Sequence, residues 1–165
     1  MRQLNYAFLP VLLLGLAGCA TNTLVSPAYG NFIQNAPAAY DHKMADDAVK
    51  QLVVVYPPAS TRLDLHQLTP DQFGASLVKS LREQGYAVLE FKPAPAEQQG
   101  RAVTTDKAAT TNAAAPALSL RYILDQTAGA NLYRVTLLVG NQSLTRAYLA
   151  QNDSVYPAGA WIRKE

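Results

Sequence analysis

Residues 117–151 read ALSLRYILDQTAGANLYRVTLLVGNQSLTRAYLAQ, and this stretch predicts three consecutive β-strands. Large apolar side chains alternate with other residues over 117–126, 132–140 and 143–151, the period of a strand with one buried face. In the first strand, alternation places on one face Leu118, Leu120, Tyr122 and Leu124. In the second, it places on one face Tyr133, Val135, Leu137 and Val139. Glycine and asparagine in both connections are typical of hairpin turns. The stretch therefore predicts an antiparallel meander.

The segment before the meander predicts two helices. Apolar residues recur at helical spacing from Ala45 to Tyr56, with Asp41 as the predicted N-cap and Pro57-Pro58 as the end. A buried strand over 52–56 is the alternative, because valines fill it.

The second predicted helix follows Thr69-Pro70-Asp71-Gln72, which resembles a capping box with Thr69 as N-cap. Leu68 and Phe73 stand at the positions of a hydrophobic staple. Phe73, Leu77 and Leu81 form an apolar ridge, and Gly85 suits the left-handed exit.

Strands are also predicted at 61–67 and 86–91. The fold class is therefore α+β, with an antiparallel sheet of about five strands and one or two helices packed on one face. The domain is predicted over 41–165. Residues 92–116, rich in Ala, Pro and Gln, predict a mobile loop within it.

The N-terminus has the layout of a secretory signal. Arg2 precedes an apolar run over 6–16, and small residues Ala17-Gly18 precede Cys19, the only cysteine. The run of about 11 residues is too short to span a hydrocarbon layer of about 30 Å. A buried core thiol is the alternative for Cys19.

Ala17-Gly18-Cys19 resembles the lipobox of bacterial lipoproteins. The resemblance implies cleavage after Gly18, a signal peptide over 1–18, and a mature chain that begins with S-diacylglycerol and N-acyl groups on Cys19. Membrane lipid is therefore an expected partner. Ala20, in place of the aspartate that retains such proteins in the inner membrane, implies the periplasmic face of the outer membrane.

Residues 19–40 predict a lipidated, flexible tether, since they are mostly small or polar and carry no charge. The tether is either a plain spacer or a segment in which Tyr29 and Phe32 contact a partner.

Charge and composition exclude several functions. The chain has 14 Lys and Arg against 12 Asp and Glu, without a basic cluster, so direct binding to nucleic acid is not expected. A single cysteine excludes a disulfide framework within the chain. Oligomeric state and stoichiometry do not follow from these features.

Motifs of known chemistry are absent from the sequence. No nucleophile elbow, zinc-protease helix or phosphate loop occurs, so no catalytic residues, cofactor or metal site are predicted. His42 and His66 are at unrelated positions, and Asp46-Asp47 is interpreted as a solvated helix face. Tyr148, Tyr156 and Trp161 are further candidates for partner contact, with packing against the domain itself as the alternative for Trp161.

Short segments resemble one known family, the TrbH-type conjugal transfer lipoproteins. They are Tyr56-Pro57-Pro58-Ala59, Thr61-Arg62-Leu63-Asp64-Leu65, Phe73-Gly74, Gly85-Tyr86-Ala87-Val88, Tyr133-Arg134-Val135 and Arg146-Ala147-Tyr148. The resemblance implies a non-enzymatic part of a mating-pair-formation apparatus, a type IV secretion system for plasmid transfer, with other secretion-channel proteins as partners.

Two functions are therefore expected from the sequence. The first is a structural or assembly component of that apparatus, anchored in the outer membrane. The alternative is a periplasmic lipoprotein that binds peptidoglycan or a hydrophobic ligand.

Overall fold

The computed structural model describes residues 28–93 and 117–165. They form eight strands, two α-helices and a short 3₁₀ helix at Pro58–Ser60. In chain order, the main elements are β1 (Gly30–Asn31), α1 (Ala38–Val55), β2 (Arg62–Leu65), α2 (Gln72–Glu83), β3 (Ala87–Leu89), β4 (Ala117–Gln126), β5 (Leu132–Val139), β6 (Gln142–Gln151), β7 (Ser154–Pro157) and β8 (Ile162–Lys164). The predicted α+β class is confirmed.

The sheet is mixed, so the prediction of an antiparallel sheet of about five strands is wrong. Its main order is β3-β2-β4-β5-β6-β7. The meander β4-β5-β6-β7 is antiparallel, whereas β2 pairs in parallel with both β3 and β4. β2 and β3 are parallel because α2 connects them. The helix carries the chain back to the end of the sheet at which β2 began, so β3 runs in the same direction.

Three short strands complete the edges. β1 pairs in parallel with β4 at Ile123 and Leu124, beyond the stretch of β4 that pairs with β2. β7 and β8 pair with opposite ends of β6. These strands have two to four residues, too few to show an alternating pattern.

Both helices pack on one face of the sheet. The ridge of α2, Phe73, Leu77 and Leu81, is fully buried, as predicted. The buried residues of α1 are Tyr40, Asp41, Met44, Ala45, Ala48, Val49 and Leu52. All of these except Asp41 share one apolar cluster with the predicted inward faces of β4 and β5. One continuous core therefore holds α1, α2 and the sheet together.

The helix starts differ from the predictions. α1 begins at Ala38 after Pro37, so Asp41 lies in the first turn and is not the N-cap. α2 is capped by Asp71, whose carboxylate accepts the Gly74 N–H at 3.0 Å, and not by Thr69. Leu68 is exposed while Phe73 is buried, so the predicted staple does not form. The other oxygen of the Asp71 carboxylate accepts the Tyr122 hydroxyl of β4.

Several predictions concern residues outside the described ranges. The signal peptide, Cys19 and the first part of the tether fall within 1–27, and most of the predicted loop falls within 94–116. Residues 28–40, assigned to the tether from composition, contribute β1 and the start of α1. Two residues pairing with β4 are enough to form β1, and composition does not detect so short a strand.

Candidate functional site

A groove of about 450 Å³ lies beyond the carboxyl ends of β2 and β3. Its walls come from three places: the segment around β1, the turn from β2 into α2, and the residue that follows β3 by two positions. The main lining residues are Tyr29, Asn31, Phe32, His66, Gln67, Leu68, Pro70, Asp71 and Phe91. Crevices at this edge of parallel strands are the usual ligand sites of α/β sheets, because loops from adjacent strands converge there.

Apolar side chains dominate the surface of the groove. Leu68 is 55% exposed, and Phe32 and Phe91 are each 44% exposed. Tyr29 lies at the same opening, with its ring centroid 4.8 Å from the Arg121 guanidinium. Exposed apolar residues are ordinary when scattered, but their convergence at one groove indicates a contact surface.

The backbone of β1 forms one wall of the groove. Phe32 N–H donates to the Leu124 carbonyl of β4 at 2.8 Å. Because successive strand residues direct their amide groups to opposite sides, the N–H and carbonyl of Asn31 face away from β4. Among the described residues, β1 pairs with no strand on that side. Within residues 28–93 and 117–165, the groove therefore presents a free strand edge.

A polar cluster lies beneath the groove. The Asp71 carboxylate, which caps α2, accepts the Tyr122 hydroxyl of β4. The Gln67 side-chain carbonyl accepts the Tyr122 N–H at 2.8 Å, and in the described ranges its buried amide nitrogen has no partner. Burial and the hydrogen bond to Asp71 raise the pKa of Tyr122 well above its ordinary range.

Asp41 is the most perturbed carboxyl group of the cluster. Its side chain is 4% exposed, and one of its oxygens has no hydrogen-bond partner among the described residues. Burial, and to a lesser extent the nearby Asp71 charge, raises its pKa from the ordinary 3.8 to about 6. Neither Asp41 nor Asp71 forms an ion pair in the described part of the chain.

A second polar network lies on the far side of α1, around Asp47. One Asp47 oxygen accepts from Arg146 at 2.8 Å, from the Tyr148 hydroxyl at 2.6 Å, and from the Trp161 indole at 3.2 Å. The Arg146 Nε also donates to the Gly159 carbonyl at 2.8 Å. This network fastens the segment between β7 and β8 to α1.

The predicted solvated face at Asp46-Asp47 is therefore wrong. Asp46 accepts the Ser80 hydroxyl of α2 at 2.5 Å, while Asp47 is the acceptor of the network above. Each carboxylate thus binds a different part of the domain. Adjacent helix positions point in different directions, which is why the two side chains do not act together.

The structure separates the predicted partner contacts into three places. Tyr29 and Phe32 meet at the groove. Tyr148 is 1% exposed and Trp161 is half-buried, and both bind Asp47 within the domain. Tyr156 is exposed on β7, where Lys43 of α1 lies 5.8 Å from its ring centroid. Partner contact at these five positions stays a prediction.

Sequence reasoning missed Leu68 and Phe91 as neighbours of Phe32. The feature that could have predicted this neighbourhood is the order strand, helix, strand over 62–89, with short connections. That order is typical of parallel pairing, which brings the ends of both strands to one edge. The predicted hydrophobic staple, which does not form, had placed Leu68 against Phe73 of α2 and not at the groove.

Neither helix of the described residues is both long and apolar enough to cross a membrane. Within 28–93 and 117–165, no three His, Cys, Asp or Glu side chains come together as a metal site.

Comparison with known proteins identifies the family. No curated protein and no solved structure matches the chain. The family model described as "Conjugal transfer protein TrbH" matches residues 26–165, which include every strand and helix described above. The chain therefore belongs to the TrbH family of conjugal transfer proteins.

Proposed function

We propose that this protein is a lipoprotein of the outer membrane that acts as a structural component of a conjugative type IV secretion apparatus. The single observation that carries the proposal is the match of residues 26–165 to a conjugal transfer family. The residues before the match support an anchor, because Cys19 follows a short apolar run and two small residues.

The mechanism of such a component is tethering. An acylated Cys19 holds the domain at the membrane surface, which raises its effective concentration near channel proteins. Two or more acyl chains make such attachment stable. The groove, with its exposed apolar rim and free strand edge, supports a role in protein contact.

Two substitutions test the anchor. Cys19→Ser removes the thiol that accepts the lipid, so the mature outer-membrane form should disappear from fractionated cells. Ala20→Asp keeps the lipid but changes the sorting residue, so the protein should move to the inner membrane. Mass spectrometry of the mature N-terminus checks acylation directly. An unmodified N-terminus in the wild-type protein would contradict the anchor.

Deletion of the gene tests the role in transfer. Plasmid transfer should fall at least tenfold and should return when the wild-type gene is supplied in trans. Transfer at the wild-type frequency in the deletion strain would overturn the proposed role.

The groove also favours a second candidate, a module that binds peptidoglycan or a hydrophobic ligand. Its volume of about 450 Å³ lies in the ligand-pocket range of roughly 300–1,000 Å³. Retention of the purified domain on isolated cell walls, without other proteins, would favour this candidate.

A further inference from the structure

We propose that the groove beside β1 binds an extended segment of a partner protein, which adds to the sheet as a strand and carries apolar side chains and a lysine or arginine. The inference rests on the proposed function, a component that works through protein contacts, and names the chemistry of one contact.

The position of β1 leaves room for such a strand. β1 continues the line of β2 along β4, since β2 pairs with 117–120 and β1 with 123–124. On the far side of β2 lies β3, but none of the described residues pairs with β1 on that side. The groove occupies this place, between Phe91 after β3 and the outer edge of β1.

The free edge of β1 favours a peptide as the ligand of the groove. Asn31 directs its backbone N–H and carbonyl into the groove, while both neighbouring residues direct theirs toward β4. Asn31 is half-buried beside exposed apolar side chains, and a second strand supplies one hydrogen-bond partner for its N–H and one for its carbonyl. A lipid chain supplies neither.

The walls of the groove favour apolar side chains in that peptide. Alternate residues of an added strand would enter the groove and contact Phe32, Leu68 and Phe91, whose exposed surface is apolar. Burying exposed apolar surface is the main favourable contribution to such an interface.

The charge of the site selects a cation. Asp71 lines the groove, and Asp41 lies close enough behind it for the two charges to interact. Neither carboxylate forms an ion pair within 28–93 and 117–165. A lysine or arginine from the partner would compensate this charge, and an acidic residue would be repelled.

Photocrosslinking in mating cells tests the proposal on the full-length protein. A benzoylphenylalanine in place of Leu68 should crosslink to another transfer protein, and mass spectrometry should map the crosslink to an extended segment with alternating apolar residues and a nearby lysine or arginine. The same group in place of Val54, which is 75% exposed on α1, should not crosslink to that segment.

Asn31→Pro tests strand addition. Proline removes the outward N–H, which no described strand uses, and edge strands tolerate it. Crosslinking from position 68 should fall about tenfold, as expected for a lost hydrogen bond and an unpaired partner carbonyl. Asn31→Ala is the matched control, since it also removes the side-chain bond to the Ile33 N–H but keeps the backbone N–H.

Circular dichroism and Trp161 fluorescence should match the wild type in both variants. A loss of folding in Asn31→Pro would move the test to Phe91→Lys, which removes an apolar wall of the groove, repels the partner's cation and should lower the crosslinking from position 68. Crosslinks to lipid, to a second copy of this chain, or to the same segment with undiminished yield in the proline variant would overturn the inference. If gene deletion lowers plasmid transfer but the groove substitutions that should weaken binding leave the crosslinking yield unchanged, the inference fails and the proposed function stands. If deletion leaves transfer unchanged, the proposed function fails.

Discussion

Asp47 shows how one side chain can determine the position of a chain terminus. Its carboxylate accepts hydrogen bonds from β6 and from the segment after β7, although these donors are 99 to 114 residues away in sequence. Arg146 and Asp47 are 19% and 27% exposed, so their ion pair is only partly screened by water. Hydrogen bonds to charged groups contribute about 1.5–3 kcal/mol each, about twice a neutral bond.

Asp47→Ala should lower the free energy of unfolding by about 2–3 kcal/mol, because Arg146 and Tyr148 lose a shared acceptor. Urea unfolding measures the change. Trp161 is the only tryptophan, so its emission should shift to the red if the C-terminal segment leaves α1.

Asp125→Ala is the control for that variant. Asp125 pairs with Arg134 on the surface, and exposed ion pairs contribute below about 1 kcal/mol. Equal stability losses in the two variants, or an unchanged Trp161 emission in Asp47→Ala, would contradict the assigned role of Asp47.

At the scale of elements, one glycine of α2 lies directly against the tip of a β4 side chain. A Cβ on Gly74 would clash with the Tyr122 hydroxyl and would lie 2.8 Å from the Thr69 Cβ and 3.1 Å from its Cα. Tyr122 cannot move away freely, because Phe73 packs on its ring with centroids 5.1 Å apart. The contact between α2 and β4 therefore requires a residue without a side chain.

Gly74→Ala should destabilise the domain by about 1–2 kcal/mol. Alanine favours a helix by about 0.5–1 kcal/mol over glycine, but an added methyl in a packed site costs about 1–3 kcal/mol. The close contacts include the Thr69 Cβ and Cα, which can move only with the backbone, so their cost should outweigh the gain. Urea unfolding followed by circular dichroism at 222 nm measures the difference.

Gly159→Ala is the matched control, since nothing lies within 4 Å of its added Cβ. Its effect should stay within about 0.5 kcal/mol. A stabilised Gly74→Ala variant would show that α2 can move away from β4.

At the scale of the whole molecule, Asp41 makes stability depend on pH. Its pKa is raised to about 6 in the folded state, so between about pH 4 and 6 the folded state holds a proton that the unfolded state has released. Stability should therefore fall as pH rises through this window and level off above it. A shift of about two pKa units corresponds to at most about 3 kcal/mol.

Asp41→Asn should remove most of this decline and should make the protein more stable than the wild type at pH 7.5. Urea unfolding from pH 4.5 to 7.5 measures both profiles. Glu83→Gln, at an exposed position on α2, should keep the wild-type profile. A wild-type decline that persists in Asp41→Asn would assign the titration to another group.

The sequence alone determined the local elements of this protein. Leu120, Tyr122 and Leu124 alternate as a buried strand face must, and Phe73, Leu77 and Leu81 follow the period of a helix face. These patterns are encoded by neighbours along the chain, so they can be recognised without the fold. The family was also recognisable from short segments.

Only the tertiary structure decided the parallel pairing of β2, the place of β1 and the partners of Asp47. Each depends on groups far apart in sequence that meet only when the core assembles. Leu68 and Phe91 become one groove with Phe32 for the same reason. Hydrogen bonds and apolar contacts are short-ranged, so a pattern along the chain cannot specify which distant groups will satisfy them.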